Sequence, residues 1–128
     1  MSDSSVTHPG INAETQAYWE AAAAGRLLIK QCRACGKPHF YPRAQCPHCR
    51  SHDTEWKDAS GRGIIYSYTV ARRTNPVTAV AYVTLDEGVT MFTNLVDCDF
   101  DALKIGQPVK VAFRTGDDGL TRPVFTTE

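Results

Sequence analysis

Apolar and polar positions change their spacing along this chain. Asn12 offers a helix N-cap, Glu14 sits near the positive end of the helix dipole, and the run from Ala13 to Ala24 is rich in helix formers until Gly25 stops it. This helix places Tyr18, Trp19 and Ala22 on neighbouring surface, so the two rings either pack on the chain's own body or dock on a partner. Leu27 to Gln31 and Pro38 to Tyr41 predict two short strands, and a third short segment forms around Trp56. From Gly61 the period becomes two. Ile64, Tyr66, Tyr68 and Val70 are expected to share one strand face; Ala79, Ala81, Val83 and Leu85 a second; Val89, Met91, Thr93 and Leu95 a third.

Turn chemistry divides these strands. Asp86-Glu87-Gly88 predicts a tight hairpin, Asp97 to Leu103 a polar loop, and Gly116-Asp117-Asp118-Gly119 a turn into a last strand ending near Phe125. Five strands without an intervening helical pattern suggest a small barrel, because an open sheet of this size would leave two edges and an apolar face uncovered. An OB-fold leads and an SH3-like barrel competes; spacing does not separate them. The expected organisation is a mobile lead-in (Met1 to Ile11) and helix over residues 1–25, a metal-binding ribbon over 26–60 and a barrel over 61–128.

Composition narrows the classes. Hydrophobic residues make up 42% and charged residues 22% of 128 residues, an ordinary globular balance. No apolar run approaches the ~20 residues of a membrane span. Met1 to Gly10 lacks the basic and apolar segments of a secretory signal, so a cytoplasmic setting is expected. Formal net charge is zero, which disfavours nucleic-acid partners. From Ala21 to His52, however, there is no Asp or Glu, while Arg26, Lys30, Arg33, Lys37, Arg43 and Arg50 all occur. These cations either compensate an anionic metal site or form an anion-binding surface.

The cysteines carry the sharpest chemical signal. Cys32-x-x-Cys35 and Cys46-x-x-Cys49 let two tight turns present two thiolates each, so four sulfurs can converge tetrahedrally on one structural zinc. Iron suits the same donor set. Arg50 follows Cys49 where a small residue would favour the turn. Four thiolates leave no open coordination position, which excludes hydrolysis at the metal. His48 is expected to fill its turn rather than ligate. Cys98, between acidic neighbours, is expected to be a poor nucleophile. No acid/base pair, Ser/His/Asp order or glycine-rich phosphate loop emerges. Arg72 and Arg73, after the first barrel strand, are either solvated or contact a phosphorylated ligand or a partner.

Taken in order, Tyr18-Trp19-Glu20, Gly25-Arg26-Leu27, Cys32-Arg33-Ala34-Cys35-Gly36, Phe40-Tyr41-Pro42-Arg43, Cys46-Pro47-His48-Cys49, the run Gly61 to Val70 and Thr93-Asn94-Leu95-Val96 resemble the DUF35 family. The resemblance implies a mainly β protein: an N-terminal helix, a rubredoxin-like zinc ribbon and a five-stranded OB-fold barrel. It further implies a small accessory subunit of a thiolase-superfamily acyl-CoA complex, an acyltransferase, thiolase or side-chain-shortening aldolase. Catalysis would then lie on a thiolase-like partner, and this chain would support assembly and share the acyl-CoA thioester. Some members stand beside hydratases of the MaoC type. At Asn75-Pro76 this chain is shorter than many relatives. Two other readings stay in view: a single-stranded nucleic-acid module, since OB-folds and zinc ribbons both serve that role, and a free-standing acyl-CoA binder or small enzyme.

Overall fold

The computed structural model describes residues 13–128. The lead-in and the N-cap expected at Asn12 lie outside them. The helix, α1 (Gln16–Ala23), is shorter than expected, because Ala13 to Thr15 form turns. It ends in a Schellman pair: the Arg26 N–H donates to Ala21 O at 2.8 Å and the Gly25 N–H to Ala22 O at 3.0 Å, which satisfies the last carbonyls.

Three short strands follow, β1 (Leu28–Cys32), β2 (Pro38–His39) and β3 (Thr54–Asp58), in an antiparallel sheet with β1 central. Lys30 pairs with His39 on one side and with Trp56 on the other. β2 stops before Phe40 and Tyr41, whose rings turn to α1. The barrel comprises β4 (Arg62–Ala71), β5 (Thr78–Leu85), β6 (Thr90–Leu95), β7 (Pro108–Thr115) and β8 (Thr121–Thr127). It closes in the order β4-β5-β6-β8-β7, antiparallel throughout except where β6 meets β8 in parallel at Leu95 and Phe125. The Asp97 to Leu103 loop contains a 3-10 turn, Phe100–Ala102, capped by the Asp99 carboxylate.

The expected faces of β5 and β6 hold: Ala79, Ala81, Val83, Leu85, Val89, Met91, Thr93 and Leu95 are all buried. That of β4 does not. The register against β5 jumps between Ile65 and Ser67, so Tyr66 is an extra, bulged residue. Before the bulge Ile65, opposite Val83, faces the core and Ile64 faces out; after it Tyr68 pairs opposite the buried Ala81 yet stays 36% exposed, its hydroxyl donating to Leu103 O at 2.9 Å. The extra residue shifts the alternation by one, so Ile64 and Tyr66 lie outside.

One apolar core joins the parts. Tyr18 and Ala21 of α1, Leu27 to Ile29 of the ribbon and Ile65, Val83, Val109 and Phe125 of the barrel belong to a single buried cluster. α1 packs on both β8 and β1. The linker is held as well: the Ala59 N–H donates to Leu27 O, and the Ser60 N–H to the Glu87 carboxylate in the β5–β6 hairpin. A module this small gains support from that shared burial.

Candidate metal centre

The two cysteine turns are built alike. In the first, Cys32 Sγ accepts the N–H groups of Ala34 and Cys35 at 3.3 and 3.4 Å, and the Gly36 N–H returns to Cys32 O. In the second, Cys46 Sγ accepts the His48 N–H at 3.4 Å, and the Arg50 N–H returns to Cys46 O. Amide donors aimed at sulfur favour the thiolate over the thiol. They lower the thiol of Cys32, foremost through the Cys35 N–H. Burial opposes ionisation at Cys46, yet the N–H groups of Cys49 and His48 carry it down to about 6. Cys49 accepts from the Ser51 backbone, but its neighbouring sulfurs, Cys32 first, push it up to about 11.

All four Sγ atoms lie within 4.8 Å of one another, with Cys32 to Cys49 at 3.6 Å and Cys35 to Cys46 at 3.8 Å. A regular tetrahedron with metal–sulfur bonds of ~2.3 Å has edges of about 3.8 Å, so the donor set fits one zinc ion. Cys32 and Cys46 are buried while Cys35 and Cys49 are exposed, which places the centre at the tip of the ribbon. The ion would tie the β1–β2 turn to the segment leading into β3. No histidine belongs to the cluster among the described residues. His48 fills its turn. His39 is buried, and its Nε2 accepts the Arg43 N–H at 3.3 Å.

Two cations of the acid-free stretch find their anions beyond it, on and beside β3. Arg26 pairs with Asp58 at 2.7 Å, and Arg33 with Asp53 and Glu55 at 3.5 and 3.3 Å. Lys30 lies over the Trp56 ring at 4.4 Å, and burial lowers its pKa. Glu14, just before α1, also accepts the Ala44 N–H at 2.6 Å and so ties the lead into the second cysteine turn to the start of α1.

Of the other residues singled out from the sequence, Tyr18 is buried, and its ring meets Trp19, Phe40 and Tyr41 at centroid separations of 5.0, 5.7 and 5.5 Å. Trp19 is half-buried and lines, with Tyr41, a groove of about 220 Å³ against β6 and β8. Arg72 forms an exposed ion pair with Asp101 at 2.7 Å. Arg73 is exposed beside it and converges with no ring of the groove. Cys98 is partly buried, and its thiol is pushed up by that burial and then by Asp97 and Asp99. The sequence pattern did not single out the outer barrel face. Tyr82 and Phe92 pair across β5 and β6 there at 5.1 Å, with Tyr66 also exposed. The signal was available in the complement of the buried alternation: the outward positions of β5 carry no charge.

Residues 19–55 match the family described as "ChsH2, rubredoxin-like zinc ribbon domain" and residues 56–114 the one described as "ChsH2, C-terminal OB-fold domain". A DUF35 domain-containing scaffold protein of Methanothermobacter thermautotrophicus is 36% identical over 105 residues, 73% of this chain and 79% of the relative. This chain belongs to the DUF35 family. A probable enoyl-CoA hydratase alpha subunit of Thermomonospora curvata is 39% identical over 91% of this chain, which spans only 38% of that relative's length. Among solved structures, a chain of the Ltp2-ChsH2(DUF35) aldolase is 38% identical, with a TM-score of 0.82 over 94% of this chain and 98% of its own. The competing SH3-like barrel is thereby set aside for the OB-fold, and the cysteine tip is a zinc ribbon. With four sulfurs as its ligands, zinc there holds structure and offers no site to a substrate.

Proposed function

We propose that this DUF35 chain is the zinc-binding accessory subunit of a thiolase-superfamily acyl-CoA complex of the Ltp2-ChsH2 aldolase kind. The partner carries catalysis; this chain supports assembly and contributes to holding the CoA thioester. One observation carries the reading: the likeness to a chain of the Ltp2-ChsH2(DUF35) aldolase runs through 98% of that chain and 94% of this one at 38% identity. The chemistry of the site agrees. The metal centre is closed, and burial lowers the pKa of both Lys30 and His39, the buried cationic side chains of the ribbon among the described residues. A cytoplasmic setting, where thiols stay reduced, suits the four-thiolate site. The division into helix, ribbon and barrel near residues 25 and 60 is part of the proposal.

Co-expression with an Ltp2-type subunit from the same genome, followed by size-exclusion chromatography and a retro-aldol assay on acyl-CoA, tests it. Co-elution and partner-dependent activity are expected; separate elution with full activity of the partner alone overturns it. The relative from Thermomonospora curvata supports a second reading, in which the partner is a MaoC-type hydratase. Hydration of an enoyl-CoA by the co-purified complex, in place of carbon–carbon cleavage, decides for it.

The single-stranded nucleic-acid reading has the stacking rings of Tyr66, Tyr82 and Phe92 in its favour, but lacks the cations that a phosphate backbone needs. Arg62 and Arg122, beside that face, are tied to acids, Arg62 to Glu128 and Arg122 to Asp118.

A further inference from the structure

Outward positions on the barrel face formed by β4, β5 and β6 follow from the pairing. Ile64, Thr84 and Thr90 form one row; Ser67, Tyr82 and Phe92 the next; Thr69, Val80 and Asn94 a third; and the bulged Tyr66 stands beside them. None of these side chains is charged. Tyr66 is 66%, Phe92 58% and Tyr82 48% exposed. On a solvated surface about one residue in four is ordinarily charged, so a continuous neutral face bearing three open rings is unusual. Such a face costs little to desolvate, and its hydroxyls and amide can still hydrogen-bond. The same composition, aromatic and depleted of charge, marks the covered centre of protein interfaces.

Relief gives the face a shape as well. Phe92 is a ridge between two depressions. On one side lies the groove of about 220 Å³ lined by Trp19 and Tyr41, and on the other a hollow of about 120 Å³ lined by Ser67, Thr69, Val80 and Tyr82. Both hollows are lined mainly by carbon, and the nearest guanidinium group, that of Arg122, is held by Asp118 at 2.7 Å.

We infer that this face, with Phe92 at its centre, is where the chain docks on its partner subunit, and that the partner meets it with an uncharged patch whose apolar side chains enter both hollows. The inference rests on the accessory-subunit reading and adds to it the surface and the chemistry of the contact. Charge complementarity decides the occupant: a polyanion finds no cation in these three rows, whereas a neutral apolar protein surface matches them throughout.

The test uses the full zinc-loaded chain and an immobilised Ltp2-type subunit. Phe92→Asp places a charge on the ridge at an exposed site, so zinc content and melting temperature should match the wild type, while affinity falls by about 30-fold or more. Phe92→Leu should lose less than about 5-fold, and Ile105→Asp, at an exposed apolar residue in the turn before β7, should change nothing. Retention of wild-type affinity by Phe92→Asp overturns the inference and leaves the accessory reading standing. If the wild-type chain itself fails to bind, the accessory reading falls and takes the inference with it. Two further measurements can also overturn it. One is a dimer of the isolated chain in sedimentation velocity that Phe92→Asp abolishes, which assigns the face to a second copy. The other is salt-sensitive binding of a labelled oligothymidine that Phe92→Asp abolishes, which assigns it to nucleic acid.

Discussion

Gly36 and Arg50 occupy the same place in the two cysteine turns, each donating its N–H to the carbonyl of the first cysteine, and both are left-handed, at φ +79° and +68°. Glycine adopts that conformation freely. A residue with a Cβ is strained there by roughly 1–2 kcal/mol, so the second turn holds strain that the first lacks.

Arg50→Gly should therefore stabilise the zinc-loaded protein by about 1 kcal/mol, after allowance for the greater freedom glycine gives the unfolded chain. The reverse change, Gly36→Arg, should cost a similar amount. Nothing lies within 4 Å of a Cβ at Gly36, so backbone conformation alone sets the sign. Denaturant titrations at saturating zinc check both; a destabilised Arg50→Gly would show that the guanidinium makes a contact worth more than the strain.

Removing zinc by chelation, or replacing Cys46 by Ser, should disorder the ribbon while the barrel keeps its strands. Structural zinc contributes about 10–16 kcal/mol to the folding of small peptides, far more than three short strands can replace. The barrel keeps its own centre in Ile65, Val83, Val109 and Phe125. Because Tyr18 and Ile29 cover the same core, its melting temperature should still fall. Amide NMR spectra with and without metal check this: loss of dispersion confined to the ribbon and α1 is expected, and an unchanged ribbon would refute it.

How far the sequence could be read depended on whether an element was fixed by its own spacing. Two Cys-x-x-Cys pairs state their geometry locally, and the four sulfurs expected to converge lie within 4.8 Å of one another. The alternation in β5 and β6 is equally local, so their buried faces were legible. In β4 the alternation passes through an extra residue at Tyr66, and a count by twos put Ile64 and Tyr66 on the same face as Tyr68. A bulge is set by the pairing strand and leaves little trace in its own sequence. The same holds for Arg72, whose anion is 29 positions away at Asp101, and for Tyr18, whose burial depends on Phe40 and Tyr41 leaving β2.

Gly63→Ala should be among the costliest single-methyl changes in the barrel. A Cβ at Gly63 would stand 2.4 Å from the Thr84 carbonyl oxygen, which is backbone and cannot turn aside. The strands would have to separate where β4 leaves the linker, at a cost of about 2–3 kcal/mol. A fall of roughly 10 °C in melting temperature is expected for a chain of this size. Calorimetry of the variant checks it, and a shift below about 2 °C would mean that β4 and β5 yield there more easily than their pairing implies.

Acid should weaken the packing of the ribbon through His39. Its Nε2 accepts the Arg43 N–H, which leaves the proton of the neutral ring on Nδ1, and that atom is buried without a partner. Burial first, and then the positive charges of His48, Lys30 and Arg43, lower its pKa below the ordinary histidine value of about 6.5 despite the Arg43 backbone. The folded chain thus binds fewer protons than the unfolded chain just below pH 6.5. Stability is complete above that value and is lost as pH falls through the lower, folded pKa. NMR titration of His39 in the zinc-loaded protein should give a midpoint below 6.5. His39→Phe, which cannot take a proton, should flatten the decline in stability between pH 6.5 and the folded pKa at matched zinc occupancy. A midpoint at or above 6.5 would show the ring to be solvated or paired with an acid, contrary to its burial in β2.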